Sequence, residues 1–111
     1  MKQIEELKEL LVTHCNSEKN WFMYKLSENY EFDENDFNEM IEIITQINEI
    51  YKGSLIIDRE IAWMLFMTQY SFIVMYSEVE KWYIALNIDE SEMFDKLEIL
   101  TTEISNFFDG K

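Results

Sequence analysis

The sequence has no proline, two glycines and a single cysteine among its 111 residues. One cysteine cannot form an internal disulfide, which excludes a disulfide-stapled secreted scaffold and favours a reducing compartment. Gly53 and Gly110 are too few to build a glycine-rich phosphate-binding loop. No low-complexity tract and no internal repeat is present, so the elements have to be predicted from hydrophobic periodicity.

Basic residues are also scarce, with 9 Lys and Arg against 23 Asp and Glu, a net charge of -14. This charge disfavours direct binding to nucleic acid or to an anionic membrane, because both repel a polyanion. Intrinsic disorder is excluded, since 48% of the residues are hydrophobic and 15% are aromatic. The length is typical of one domain, and we expect a single α-helical domain over residues 1–111.

Targeting signals are not visible in the sequence. Residues 1–7 carry charges where a signal peptide needs an apolar stretch. The longest uncharged run, Ile61–Ser77, has 17 residues and includes polar ones, whereas a membrane span needs roughly 20 apolar residues. We therefore expect a cytoplasmic protein, in a bacterial or phage-infected cell.

Apolar residues recur at three- and four-residue steps, which predicts helices over about 2–15, 34–52, 59–86 and from Asp89 onward. Residues 18–30 are ambiguous, because their aromatic residues also have strand propensity, and a short helix is favoured. The helix over 59–86 is apolar nearly all round. The prediction is an all-α protein, a compact bundle of four to five helices around this central helix.

Capping residues mark the ends of these helices. Asp33, Asp58 and Asp89 are predicted N-caps, and Glu92 would complete a capping box with Asp89. Gly53, like Gly110 near the C-terminus, suits a left-handed helix end.

The acidic residues are densest between positions 28 and 42, where seven carboxylates occur in 15 residues and no base lies between Lys25 and Lys52. Together with Glu49 these acids predict a continuous ridge that a basic protein could bind, with Tyr30 and Phe32 as exposed aromatic anchors. A solvated surface that only aids solubility is the alternative. The predicted partner-binding residues are Glu28, Tyr30, Glu31, Phe32, Asp33, Glu34, Asp36, Glu39 and Glu42.

Catalytic groups are few. His14 and Cys15 are adjacent on a helix and point in different directions, so both are interpreted as structural. One Cys and one His cannot fill a zinc site, and we expect no catalytic residue, metal or cofactor. Among the patterns that could indicate an enzyme, the best supported is a pair of acid-x-x-acid segments. This pair resembles the magnesium-binding carboxylates of all-α nucleotide pyrophosphatases. Its residues are Glu39, Glu42, Glu92 and Asp95.

These patterns favour a non-enzymatic inhibitor that occupies the basic cleft of a protein that handles nucleic acid. In size, charge and helix content the chain is similar to phage-encoded DNA mimics, including inhibitors of restriction and CRISPR nucleases. An immunity protein or antitoxin that neutralises a basic toxin fits the same physics. A metal-dependent nucleotide hydrolase and a structural subunit whose apolar helix contacts another chain are further alternatives, and the oligomeric state stays open.

Overall fold

A computed structural model describes residues 3–15, 22, 25–26, 31–78 and 89–110. These residues form four helices and no strand: α1 (Ile4–Cys15), α2 (Glu34–Tyr51), α3 (Arg59–Glu78) and α4 (Glu90–Asp109). The helices pack against one another, which confirms the predicted all-α bundle. Within the ambiguous segment the three described residues are helical, while the rest of 18–30 lies outside the described residues. Positions 79–86 of the helix predicted over 59–86 also lie outside them.

Two of the three predicted N-caps act as such. The Asp33 carboxylate accepts a hydrogen bond from the backbone N–H of Asp36 at 3.0 Å. Asp58 accepts one from the backbone N–H of Ile61, also at 3.0 Å. These bonds satisfy N–H groups that have no partner inside the first helical turn.

The start of α4 differs from the prediction. Asp89 occupies the N-cap position, but its carboxylate makes no hydrogen bond to the helix backbone. It accepts one from the hydroxyl of Ser91 at 2.8 Å, so the capping box predicted with Glu92 does not form.

The two glycines meet at one end of the bundle. Both are left-handed, with φ of 75° at Gly53 and 72° at Gly110. The N–H of Gly53 donates to the carbonyl of Gly110 at 2.9 Å. This bond joins the end of α2 to the end of α4, and an ion pair between Glu34 and Lys96 joins their N-terminal halves, so these two helices run in the same direction.

Side-chain contacts fix the order of the helices. Lys8 of α1 binds Asp58 and Glu60 at the start of α3 at 3.1 and 3.0 Å. Cys15 at the end of α1 forms a hydrogen bond with Thr68 further along α3, so these two helices lie side by side in parallel. α2 packs against α1 and α4, and α3 also packs against α1 and α4. α2 and α3 therefore occupy opposite corners of the bundle.

The core consists of the inward faces of all four helices. The buried ring of Phe22 contacts those of Phe37 and Phe72 in this core, with ring centroids 5.4 and 6.4 Å away. Tyr51 packs on Phe107 at the glycine end, with centroids 5.6 Å apart. Burial of such rings is the main stabilising term for a domain of this size.

The predicted position of α3 at the centre of the bundle is wrong. Its residues Ile61, Leu65 and Phe72 are fully buried, but the opposite side of the helix faces solvent. A helix with one exposed apolar side and a helix that is buried all round have the same apolar sequence pattern. Only the packing in the fold distinguishes the two. Across the described residues, no helix has the combined length and hydropathy that crossing a membrane requires.

Candidate functional site

The acids that precede α2 are bound by a lysine. Lys25 Nζ lies 2.8 Å from Asp33 Oδ2 and 3.0 Å from Asp36 Oδ2, and all three side chains are mostly buried. Hydrogen bonds to these two carboxylates raise the pKa of Lys25 above its ordinary range. The hydrogen bond from Lys25, and after it the backbone N–H of Asp36, lowers the pKa of Asp33. These two acids therefore hold the start of α2 in place and are not free to meet a partner.

A second lysine reaches the same region from α4. Lys96 Nζ lies 3.2 Å from Glu34 Oε1 and 5.4 Å from the centroid of the Phe37 ring. The predicted ridge is thus not continuous, because the fold brings in two lysines that lie outside residues 26–51. The expectation that Asp33, Glu34 and Asp36 present uncompensated charge is wrong.

The predicted aromatic anchors have different outcomes. Phe32 is half-buried and packs edge-on against Phe22, with ring centroids 5.5 Å apart, and against Phe37 at 5.4 Å. It belongs to the core margin, so its prediction as an exposed anchor is wrong. Tyr30 and Glu28 lie outside the described residues.

The outward side of α2 keeps free carboxylates. Glu42 and Glu49 are seven residues apart, lie on the side opposite the buried Ile44, and are exposed. Glu39 is 48% exposed and lies beside them on the α1 side. No lysine or arginine of the described chain pairs with any of the three. We call Glu39, Glu42 and Glu49 the α2 acidic face; Glu31, also exposed, precedes it.

His14 lies beneath this face. Its side chain is fully buried, with Nε2 3.7 Å from Glu39 Oε1. Burial lowers the pKa of His14, and the nearby carboxylates of Glu39 and Asp36 only partly oppose this effect. The imidazole is therefore neutral at pH 7, and it does not cancel the charge of Glu39.

Cys15 is shielded in the same region. Burial raises the pKa of its thiol to about 11, although a hydrogen bond with Thr68 acts in the opposite direction. Nucleophilic cysteines need the thiolate form, so this thiol is chemically quiet at neutral pH.

The four carboxylates considered for a metal site do not converge. Glu39, Glu42, Glu92 and Asp95 are all exposed, whereas the ligands of a helical-bundle metal site project inward. Nowhere in the described ranges do three or more His, Cys, Asp or Glu side chains come close enough to hold a metal ion.

Sequence reasoning missed a surface on α3. Its outward side carries five exposed apolar residues at helical spacing, which we call the α3 apolar face: Trp63, Phe66, Met67, Tyr70 and Ile73. The rings of Trp63 and Phe66 stack with centroids 6.1 Å apart, and those of Phe66 and Tyr70 stack at 6.3 Å. The uncharged run of 17 residues in the sequence is the signal of this face, although it was interpreted as core.

Comparison of the chain with protein-family models, with curated proteins and with solved structures gives no match. Its class is therefore defined by the fold and the surface alone. It is a small, acidic, all-α protein with a carboxylate-bearing face on α2 and an apolar face on α3.

Proposed function

We propose that this protein is a non-enzymatic inhibitor that binds a basic protein, one that handles nucleic acid, through the α2 acidic face. The observation that carries the proposal is that this face has no counter-ion among the described residues, although two lysines neutralise the neighbouring acids. The three unpaired carboxylates give this face a negative charge that no lysine or arginine of the described residues offsets.

The geometry of α2 supports binding to a cleft made for nucleic acid. Glu39 and Glu42 are three residues apart on one helix, which sets their Cβ atoms roughly 5–6 Å apart. Along the helix axis the three carboxylates of the face are separated by roughly 4.5 and 10.5 Å. Phosphates on one DNA strand advance by roughly 3.4 Å each, so the face has the same sign of charge at a lower density. Asn35 and Asn38 are exposed on the same side of α2 and offer hydrogen bonds beside the carboxylates.

Complementary charge would act mainly on the rate and selectivity of association. The helix fixes the backbone that carries these carboxylates, so only their side chains lose conformational freedom on binding. An immunity protein or antitoxin would use the same face, and the identity of the partner distinguishes it from an inhibitor of a restriction or CRISPR nuclease.

Affinity purification with three baits tests the proposal. The first is the wild type, the second carries Glu→Gln at all three positions of the α2 acidic face, and the third carries Glu→Gln at three exposed acids of α1. These control positions are Glu5, Glu6 and Glu9. Both variants lose three charges, so only the location of the loss differs between them.

The expected result is a basic protein of nucleic-acid metabolism that the wild type and the α1 variant capture and the α2 variant loses. Addition of the wild type to that purified protein should then block its binding to nucleic acid. Equal capture by all three baits would show that the charges of the α2 acidic face are not needed for binding. An equal loss with both variants would show that charge acts without regard to position, and either result would reject the proposal.

A further inference from the structure

We propose that the α3 apolar face joins two copies of this chain in a two-fold symmetric dimer. The face is formed by side chains that are between 37% and 63% exposed, at Met67 and Trp63 respectively. A contiguous apolar surface of this kind is uncommon on a soluble monomer unless it has a binding role.

The area of the face is sufficient for such a contact. With roughly 150–250 Å² for each aromatic side chain, its five residues expose roughly 500 Å² in one copy. In a symmetric contact both copies bury this surface, so the total buried area approaches the roughly 1,200 Å² at which specific interfaces begin. The remainder can come from Phe94 and Phe108 of α4, which are 50% and 49% exposed. They lie on the side of α4 away from the residues that contact α2.

Charge indicates that the occupant is a second copy. Two chains of net charge -14 repel each other, so a contact between copies is least unfavourable where it is centred on a surface without acids. The stretch Ile61–Ser77 has no charged residue, and the α3 apolar face lies within it. A basic partner would gain no ion pair there and would have to desolvate its own cations.

The position of α3 in the bundle also suits a dimer. α3 and α2 lie at opposite corners, so a two-fold axis beside α3 keeps both α2 acidic faces on the far sides of the assembly. The stacked rings of Trp63, Phe66 and Tyr70 are held by each other, which reduces the entropy lost when they are covered.

Sedimentation equilibrium of the full chain between about 10 and 500 μM tests the proposal. We expect a monomer–dimer equilibrium that strengthens as salt is raised from 50 to 500 mM, because salt screens the repulsion between the two acidic copies. Binding through the α2 acidic face should weaken over the same range. The dimer test needs no partner protein, so its failure leaves the proposed function untouched.

Phe66→Glu introduces an acid into the centre of the face and should weaken dimerisation at least tenfold. Leu55→Glu, at a fully exposed apolar residue in the α2–α3 connection, is the matched control and should leave the dimer unchanged. Circular dichroism checks that both variants are folded, and Tyr70→Ser replaces Phe66→Glu if the latter unfolds. A monomer at every concentration, open-ended association, or equal weakening by the Leu55 control would each overturn the proposal.

Discussion

The outward faces of α2 and α3 differ in almost every physical respect. The α2 acidic face consists of carboxylates on a helix whose neighbouring acids are already paired with lysines. The α3 apolar face has stacked aromatic rings and no charge between Ile61 and Ser77. Both helices bury their inner sides in the same core, so they differ only in their outer sides and in the kind of surface that each outer side can bind. One face suits a basic surface, and the other suits an apolar one.

The two sides of α3 provide the largest expected contrast. Phe72 is fully buried, whereas Phe66 is 51% exposed on the opposite side of the same helix. We expect Phe72→Ala to lower the free energy of unfolding by about 3–5 kcal/mol, because it leaves a cavity beside Phe22. Phe66→Ala should change it by less than about 1 kcal/mol in the monomer.

Urea denaturation at a protein concentration that favours the monomer measures both values. Similar losses for the two alanine variants would mean that the outer side of α3 is packed in solution. The distinction between an inner and an outer side of this helix would then fail.

His14 gives a pH-dependent contrast on the α2 side. Burial lowers its pKa in the folded state, so the unfolded chain takes up a proton near pH 6.5 while the folded chain remains neutral. The stability due to neutral His14 is present above pH 6.5 and is lost as pH falls toward the folded pKa. One proton changes the free energy of unfolding by at most about 1.4 kcal/mol per pH unit.

Denaturation between pH 7.5 and 5 in the wild type and in His14→Gln measures this effect. Glu39, Asp36 and Lys25 lie around His14 and are present in both proteins, as are the other titrating acids. The difference between the two stability curves therefore measures the titration of the imidazole. We expect the wild type to lose stability more steeply below pH 6.5. Parallel curves would show that His14 does not titrate differently in the folded and unfolded states.

Lys25 distinguishes paired acids from free ones. Lys25→Met leaves Asp33 and Asp36 without their cation and should lower the free energy of unfolding by about 1 kcal/mol. Lys52→Met removes the same charge from an exposed lysine that has no ion pair within the described part of the chain, and should change it by less than about 0.5 kcal/mol. Thermal denaturation of both variants compares them, and equal losses would mean that only total charge matters.

Local signals in the sequence were sufficient for much of the fold. The caps at Asp33 and Asp58 depend on hydrogen bonds to residues three positions away, so the pattern around each aspartate already contains them. The apolar residues of α2 at helical spacing, among them Phe37, Ile44 and Ile47, are likewise buried, as the periodicity of the sequence predicts for one side of a helix.

Features that depend on tertiary contacts could not be predicted from local sequence patterns. Lys96 meets Glu34 across 62 positions of sequence, and no local pattern indicates that pairing. The exposure of Trp63 depends on which sides of α3 are covered by other helices. The apolar residues of α3 alone do not indicate which sides those are. The pairing of three predicted acids with lysines and the exposed apolar side of α3 therefore became visible only in the fold.

The proposed binding through the α2 acidic face depends most on the position of its charges, and not only on the total charge of the chain. Titration calorimetry with the captured basic protein, at 50 and 300 mM salt, measures this directly for the wild type and the two triple Glu→Gln variants. We expect the α2 variant to bind at least about tenfold more weakly at low salt, with a smaller difference at high salt, since exposed ion pairs contribute about 0.2–1 kcal/mol each. The α1 variant should bind like the wild type. Equal dissociation constants for all three proteins would contradict the account.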